Sequence, residues 1–316
     1  MTGESNTSFA PPSMRARSKK ELVLFFGLTL AVMYTLCFTV VGFLEPMKAF
    51  SDRHLGGIDP QLILYPAAYS PTLVAFALTA YFGGRAGLRR FVAGIFRWRV
   101  GICTALFTVL FFPLLWLVVA LIRHFTLGAP IHWAAWFVNF PALFFSTYLF
   151  TDTGGLGEEA GWRGYAMPRL LEGFTPTAAG LIVGFIFGIW HLPGWFLTGL
   201  GGHYAQFDFA MFVGSTMVLS VGMAYLYVRT QGAVFLAGIL PHMITNIGGE
   251  EGVKFFSFNW EYIAYLALFM LLLVAIESKR MFGRASVSPK YLPQYYTAEE
   301  ERAALEASRL SAQAQG

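Results

Sequence analysis

Residues 22–44 read LVLFFGLTLAVMYTLCFTVVGFL, twenty-three positions without a charge, entered from a basic stretch at Arg15, Arg17, Lys19 and Lys20. A helix rises ~1.5 Å per residue and the hydrocarbon core of a bilayer is ~30 Å thick, so about 20 such residues cross it. The run exceeds the ~7–15 apolar residues of a signal-peptide core and no A-x-A site follows it, so it reads as a retained membrane span. The remainder of the chain agrees. Of 316 residues, 56% are hydrophobic and 13% charged, about half the ~25% charged content of a soluble domain.

Working outward, apolar runs give eight spans: 22–44, 61–82, 103–122, 134–157, 177–199, 209–228, 232–249 and 259–276. The fourth fades through Asp152, and the seventh is short and holds a proline. The fold class is all-α, a polytopic membrane bundle of about eight transmembrane helices. Around it lie a disordered cytoplasmic arm (1–20) and a polar cytoplasmic tail (284–316), with the membrane domain at 21–283. The tail carries TAEEERAALEASRL at 297–310, where Thr297 three residues before Glu300 makes a capping box for a solvated helix. Residues 83–102 interleave five arginines with Leu, Phe, Ile and Trp and read as an amphipathic helix on the inner leaflet.

Charge sets the orientation. With the N-terminus cytoplasmic, all but four of the 22 Lys and Arg (Lys48, Arg53, Arg123 and Lys254 being the exceptions) fall on inside segments, which the positive-inside rule reads as both termini cytoplasmic. The expected setting is a bacterial plasma membrane. The net charge of +4 is thus a topology signal, and the bilayer rather than nucleic acid is the implied partner. Cys37 and Cys103 lie in apolar spans and form neither a disulfide framework nor a CxxC metal pattern.

Ionisable groups inside spans are costly and mark function by default. His54, His124, His132 and His203 fall in loops; His191, in FGIWHLPGW (187–195), and His242, in ILPHMITNIGG (239–249), fall inside spans. Asn246 follows His242 by four residues and shares its helix face. Pro193 and Pro241 beside the histidines loosen the local helix. At 154–165 the chain reads GGLGEEAGWRGY. If helical, Glu159 and Arg163 pair at i,i+4, while Glu158 is rotated ~100° away. One carboxylate is then held by arginine and the other is available as a general base. The plainer readings are a helix-end ion pair for the glutamates and interhelical hydrogen bonding for the histidines and Asn246.

Glu158-Glu159-x-x-x-Arg163, Phe187-x-x-x-His191 and His242-x-x-x-Asn246, in that order on successive spans, resemble the three motifs of the CPBP family, the CAAX-processing and bacteriocin-processing (abortive-infection) intramembrane proteases. The likeness covers about 158–246. It implies an eight-helix fold with a conical cavity open toward the cytosol, and endopeptidase cleavage of a lipidated or membrane-associated substrate. It also implies that Glu158 activates water beside His191, that His242 and Asn246 stabilise the oxyanion, and that Glu159 and Arg163 support the site. Asn is a poor zinc ligand and HExxH is absent, which favours a glutamate mechanism. Zinc held by Glu158, His191 and His242 is the alternative. Two other classes stay open on the residues alone. One is a proton-coupled transporter, although the halves show no repeat symmetry; the other is a non-catalytic scaffold or immunity protein on the same fold.

Overall fold

The computed structural model describes residues 11–149, 153–197, 204–250, 252–283 and 287–313. These segments are mostly helical, with no strand among the described residues. Helix α1, Pro12–His54, opens on a proline at its first position, where the missing N–H is harmless, and kinks at Phe43. The second half of the expected disordered arm, from Pro12 onward, is therefore helix. The expected span 61–82 is a bent pair, Pro60–Ala68 followed by Ser70–Ile95 (α2), turning by 61°. The arginine-rich stretch continues α2 past a break at Gly84, where φ is +55°.

Helix α3, Ile102–Leu127, ends on Gly128 in the left-handed conformation, whose N–H caps the last carbonyls. Helix α6, Pro176–Trp190, starts at a Thr175 cap, α7, Phe209–Arg229, at an Asp208 cap, and α9, Trp260–Ile276, at an Asn259 cap. Each cap accepts an orphan N–H of the first turn.

Three segments carry π turns. Segment α4 runs through Ala135–Asn139, Phe140–Leu143 and Phe144–Tyr148. Segment α5 runs through Thr153–Gly161, Trp162–Ala166 and Met167–Leu170. Segment α8 runs through Phe235–Ile239 and Leu240–Gly249. In each of the three, a π turn is followed two residues on by a proline (Pro141, Pro168, Pro241). A proline ring collides with the carbonyl four residues back and offers it no N–H, and a widened turn relieves both problems.

The bundle has two ends. At the terminal end, Thr177 Oγ1 donates to the Met281 carbonyl at 3.0 Å, Arg97 donates to the Gln231 carbonyl, and Arg17 pairs with Glu300. At the distal end, Arg123 pairs with Glu261 at 2.7 Å and Asn139 donates to the Gly252 carbonyl at 2.7 Å. Tyr148 donates to the Glu250 carboxylate, so both ends of α4 are held at the distal end. The segment that runs from there toward the terminal end is α5, at 153–170, rather than 134–157. The apolar run at 134–149 is aromatic enough to read as a span, but Trp136 and Phe140 stack on Phe255 of the distal connection.

Among the described residues, four helices are long and apolar enough to cross a bilayer, or five with the bent pair counted as one. Their outer faces are apolar: Val23, Ile102, Leu110 and Leu271 are all exposed. The polar groups lie inside instead. Segment α5 is buried on every face from Gly154 to Glu172 except at Leu156 and is the core of the bundle. The tail is not a free solvated segment: Leu292, Gln294, Tyr295 and Tyr296 are buried, and helix α10, Ala298–Gln313, is tied to α1 and α2 through Arg17–Glu300 and Arg90–Glu301.

Candidate active site

Segment α5 brings the two glutamates into the core. Glu159 is fully buried, and its Oε1 accepts from Arg163 Nη1 at 2.7 Å and from His242 Nδ1 at 2.8 Å. Arg163 Nη2 donates to Ser220 Oγ on α7 at 3.0 Å. One carboxylate thus ties α5 to α8, and its arginine ties α5 to α7. Glu158, one helical step round, is also buried and lines a cavity.

His191 caps the C-terminus of α6, and its Nδ1 lies 2.9 Å from the Phe187 carbonyl. A carbonyl only accepts, so Nδ1 carries the hydrogen and the neutral ring offers its Nε2 lone pair. The Phe-x-x-x-His spacing has a second consequence. The Phe187 ring packs at 4.5 Å from His191 and 5.8 Å from His242, centroid to centroid, and so touches both histidines.

His242 and Asn246 sit one turn apart on α8, within the stretch that follows the π turn. A Cβ on Gly154 would lie 2.8 Å from both His242 Nε2 and Asn246 Nδ2, so the two nitrogens converge on one spot beside the start of α5. His242 Nδ1 faces a carboxylate, which only accepts. Its Nε2 therefore bears a hydrogen only when the ring is the imidazolium.

All six residues, Glu158, Glu159, Arg163, His191, His242 and Asn246, line a single cavity of about 530 Å³. Its buried floor includes Arg163, Ser220 and Met223, and its rim includes Tyr204, Gln206, Phe207 and Glu250. Gly154, Gly238 and Ser220 complete the site without having been singled out in the sequence. A Cβ at Gly238 would lie 2.7 Å from Glu159 Oε2. Glycines are common in this chain and Ser220 has no motif around it, so only the partners across the bundle reveal these three.

The Nδ1 atoms of both histidines and one oxygen of Glu159 are committed to hydrogen bonds. No group of three His, Cys, Asp or Glu among the described residues is placed to hold a metal ion, so Glu158, His191 and His242 form no preassembled ligand set.

Residues 138–248 match a protein family described as type II CAAX prenyl endopeptidase Rce1-like. The match covers about a third of the chain. The matched stretch runs from α4 to α8 and contains all six cavity residues named above, so the resemblance carried by the three motifs is borne out. The family so described is one of CAAX-type intramembrane proteases. No curated protein matches the chain.

Proposed function

We propose that the chain is an intramembrane endopeptidase of glutamate type, acting on a lipidated or membrane-associated peptide, with Glu158 as general base. The observation that carries this reading is the shared cavity. The buried Glu158 carboxylate lines the same space as the two converging nitrogens on α8.

The substrate peptide enters the cavity with its scissile carbonyl oxygen toward His242 and Asn246. Glu158 takes a proton from water as the water oxygen bonds to the carbonyl carbon, and the carbonyl π pair moves onto oxygen. The His191 Nε2 lone pair accepts the other water hydrogen and fixes the attacking lone pair. Asn246 Nδ2 donates to the oxyanion. His242 Nε2 donates as well when its ring is the imidazolium, whose charge Glu159 offsets across the 2.8 Å contact. Preorganised donors of this kind act where charge develops and need no reorganisation. Collapse of the intermediate breaks the C–N bond, and the leaving amine takes the proton from Glu158.

Glu158→Gln keeps size and removes the base. The rate of peptide hydrolysis by detergent-purified enzyme should fall by ~10²–10⁴, with an unchanged melting temperature. A folded Glu158→Gln enzyme with wild-type turnover would remove Glu158 from the chemistry.

A further inference from the structure

The mouth of the cavity lies at the end of the bundle opposite the termini. The rim residues Gln206 and Glu250 are solvent-exposed, and both sit on the connections of the distal end, whereas the floor at Arg163 and Ser220 is buried. The cations lie at the other end. Of the described Lys and Arg, Lys48, Arg53, Arg123 and Lys254 sit toward the distal end, Arg163 lies inside the bundle, and the others gather toward the terminal end. A cytoplasmic end enriched in Lys and Arg is the general rule of membrane topology. A cavity open toward the cytosol and cytoplasmic termini cannot both hold for this arrangement, because mouth and termini are at opposite ends.

We infer that the site opens on the non-cytoplasmic face, and that its substrate is a membrane-attached peptide segment presented from that face rather than a lipidated C-terminus in the cytosol. This rests on the proteolytic reading of the cavity and narrows its substrate class. The distal rim fits such an occupant. Phe207, Phe256 and Phe258 surround the entrance beside the polar Gln206 and Glu250, a wall suited to a chain that is apolar on its bilayer side and hydrated on the other.

Two measurements on the full-length protein test this. The first replaces Cys37 and Cys103 and introduces one cysteine at a time, Ser257→Cys at the exposed distal end or Glu299→Cys on α10. A membrane-impermeant maleimide should label Ser257→Cys in intact cells and Glu299→Cys only after permeabilisation. The reverse pattern overturns the inference and leaves the proteolytic reading standing.

The second supplies an N-palmitoylated, internally quenched peptide, with lysines at its ends to keep it in the leaflet to which it is added. Wild-type protein should cleave it when it is added outside intact cells, with cleavage lost in Glu158→Gln and lost in inverted vesicles from the same cells. Glu158-dependent cleavage confined to inverted vesicles again overturns the inference alone. Absence of Glu158-dependent cleavage in cells, vesicles and detergent removes the proteolytic reading and this inference with it, whatever the labelling shows.

Discussion

The convergence of His242 Nε2 and Asn246 Nδ2 beside Gly154 separates chemistry from helix packing. If Asn246 donates to the oxyanion, Asn246→Ala lowers kcat by ~10²–10³ and leaves KM nearly unchanged, because the bond forms in the transition state. If it only joins helices, the melting temperature falls while kcat holds, since such bonds average ~0.6 kcal/mol in membranes. Measuring kcat, KM and melting temperature on one preparation decides between them. Gly154→Ala is a second probe of the same spot: its methyl would sit 2.8 Å from both nitrogens, so kcat should fall although neither donor has been removed. An unchanged kcat would show that the pair does not need its present position. The Glu159–Arg163 pair was legible in the sequence because i,i+4 spacing is a local fact. The contact from Glu159 to His242 spans 83 positions, and nothing local announces it. Gly154 and Gly238 were illegible for the same reason, since each is demanded by a neighbour on another helix.

Helices α6 and α7 pack backbone to backbone. A Cβ at Gly184 would lie 2.5 Å from Met217 Cα and from the Thr216 carbonyl oxygen, with Gly180 and Gly188 nearly as close to α7 one turn to either side. Backbone atoms cannot rotate away, so Gly184→Ala must push the helices apart. A cost of ~1–3 kcal/mol is expected for overpacking of this kind, read as a lower melting temperature. Because His191 caps the end of α6, activity should fall with it. Gly214→Ala on α7 meets nothing within 4 Å and is the control; its melting temperature should hold or rise. Equal losses in the two variants would mean that helix contact is not the cause. The four-residue spacing of Gly180, Gly184 and Gly188 sets three small residues on one helix face, a local fact of the sequence, and the structure supplies the helix that packs there. The π turns were less accessible. Pro141, Pro168 and Pro241 announce a disturbed helix, but whether it kinks, breaks or widens depends on what packs around it.

At the scale of the molecule, composition and charge were enough to read an all-α membrane bundle. The path of the fourth apolar run was not, because an aromatic segment held along one end has the same composition as one that crosses. The tail shows a parallel limit: its polar sequence concealed how firmly it docks. Glu21, fully buried on α1, accepts from Arg169 Nε at 2.6 Å and from Tyr296 of the tail at 3.0 Å. Glu300 joins this assembly from α10. It pairs with Arg17 and accepts from the N–H groups of Tyr296 and Thr297. Burial raises its pKa, but the Arg17 hydrogen bond and charge, together with the two N–H donors, outweigh burial and hold it below the ordinary carboxylate value. A carboxylate with a depressed folded-state pKa stabilises the fold above its unfolded pKa, and that stability is lost as pH falls through the folded value. Glu300→Gln retains the capping geometry and removes only the charge. The variant should therefore be less stable than wild type at neutral pH by ~0.2–1 kcal/mol, the range of partly exposed pairs. The difference should shrink as the pH drops below the usual glutamate pKa of about 4.3. Melting temperatures of the two proteins in one detergent, measured from neutral to acidic pH, test this; a gap that persists unchanged in acid would mean that the tail is held without the Glu300 charge.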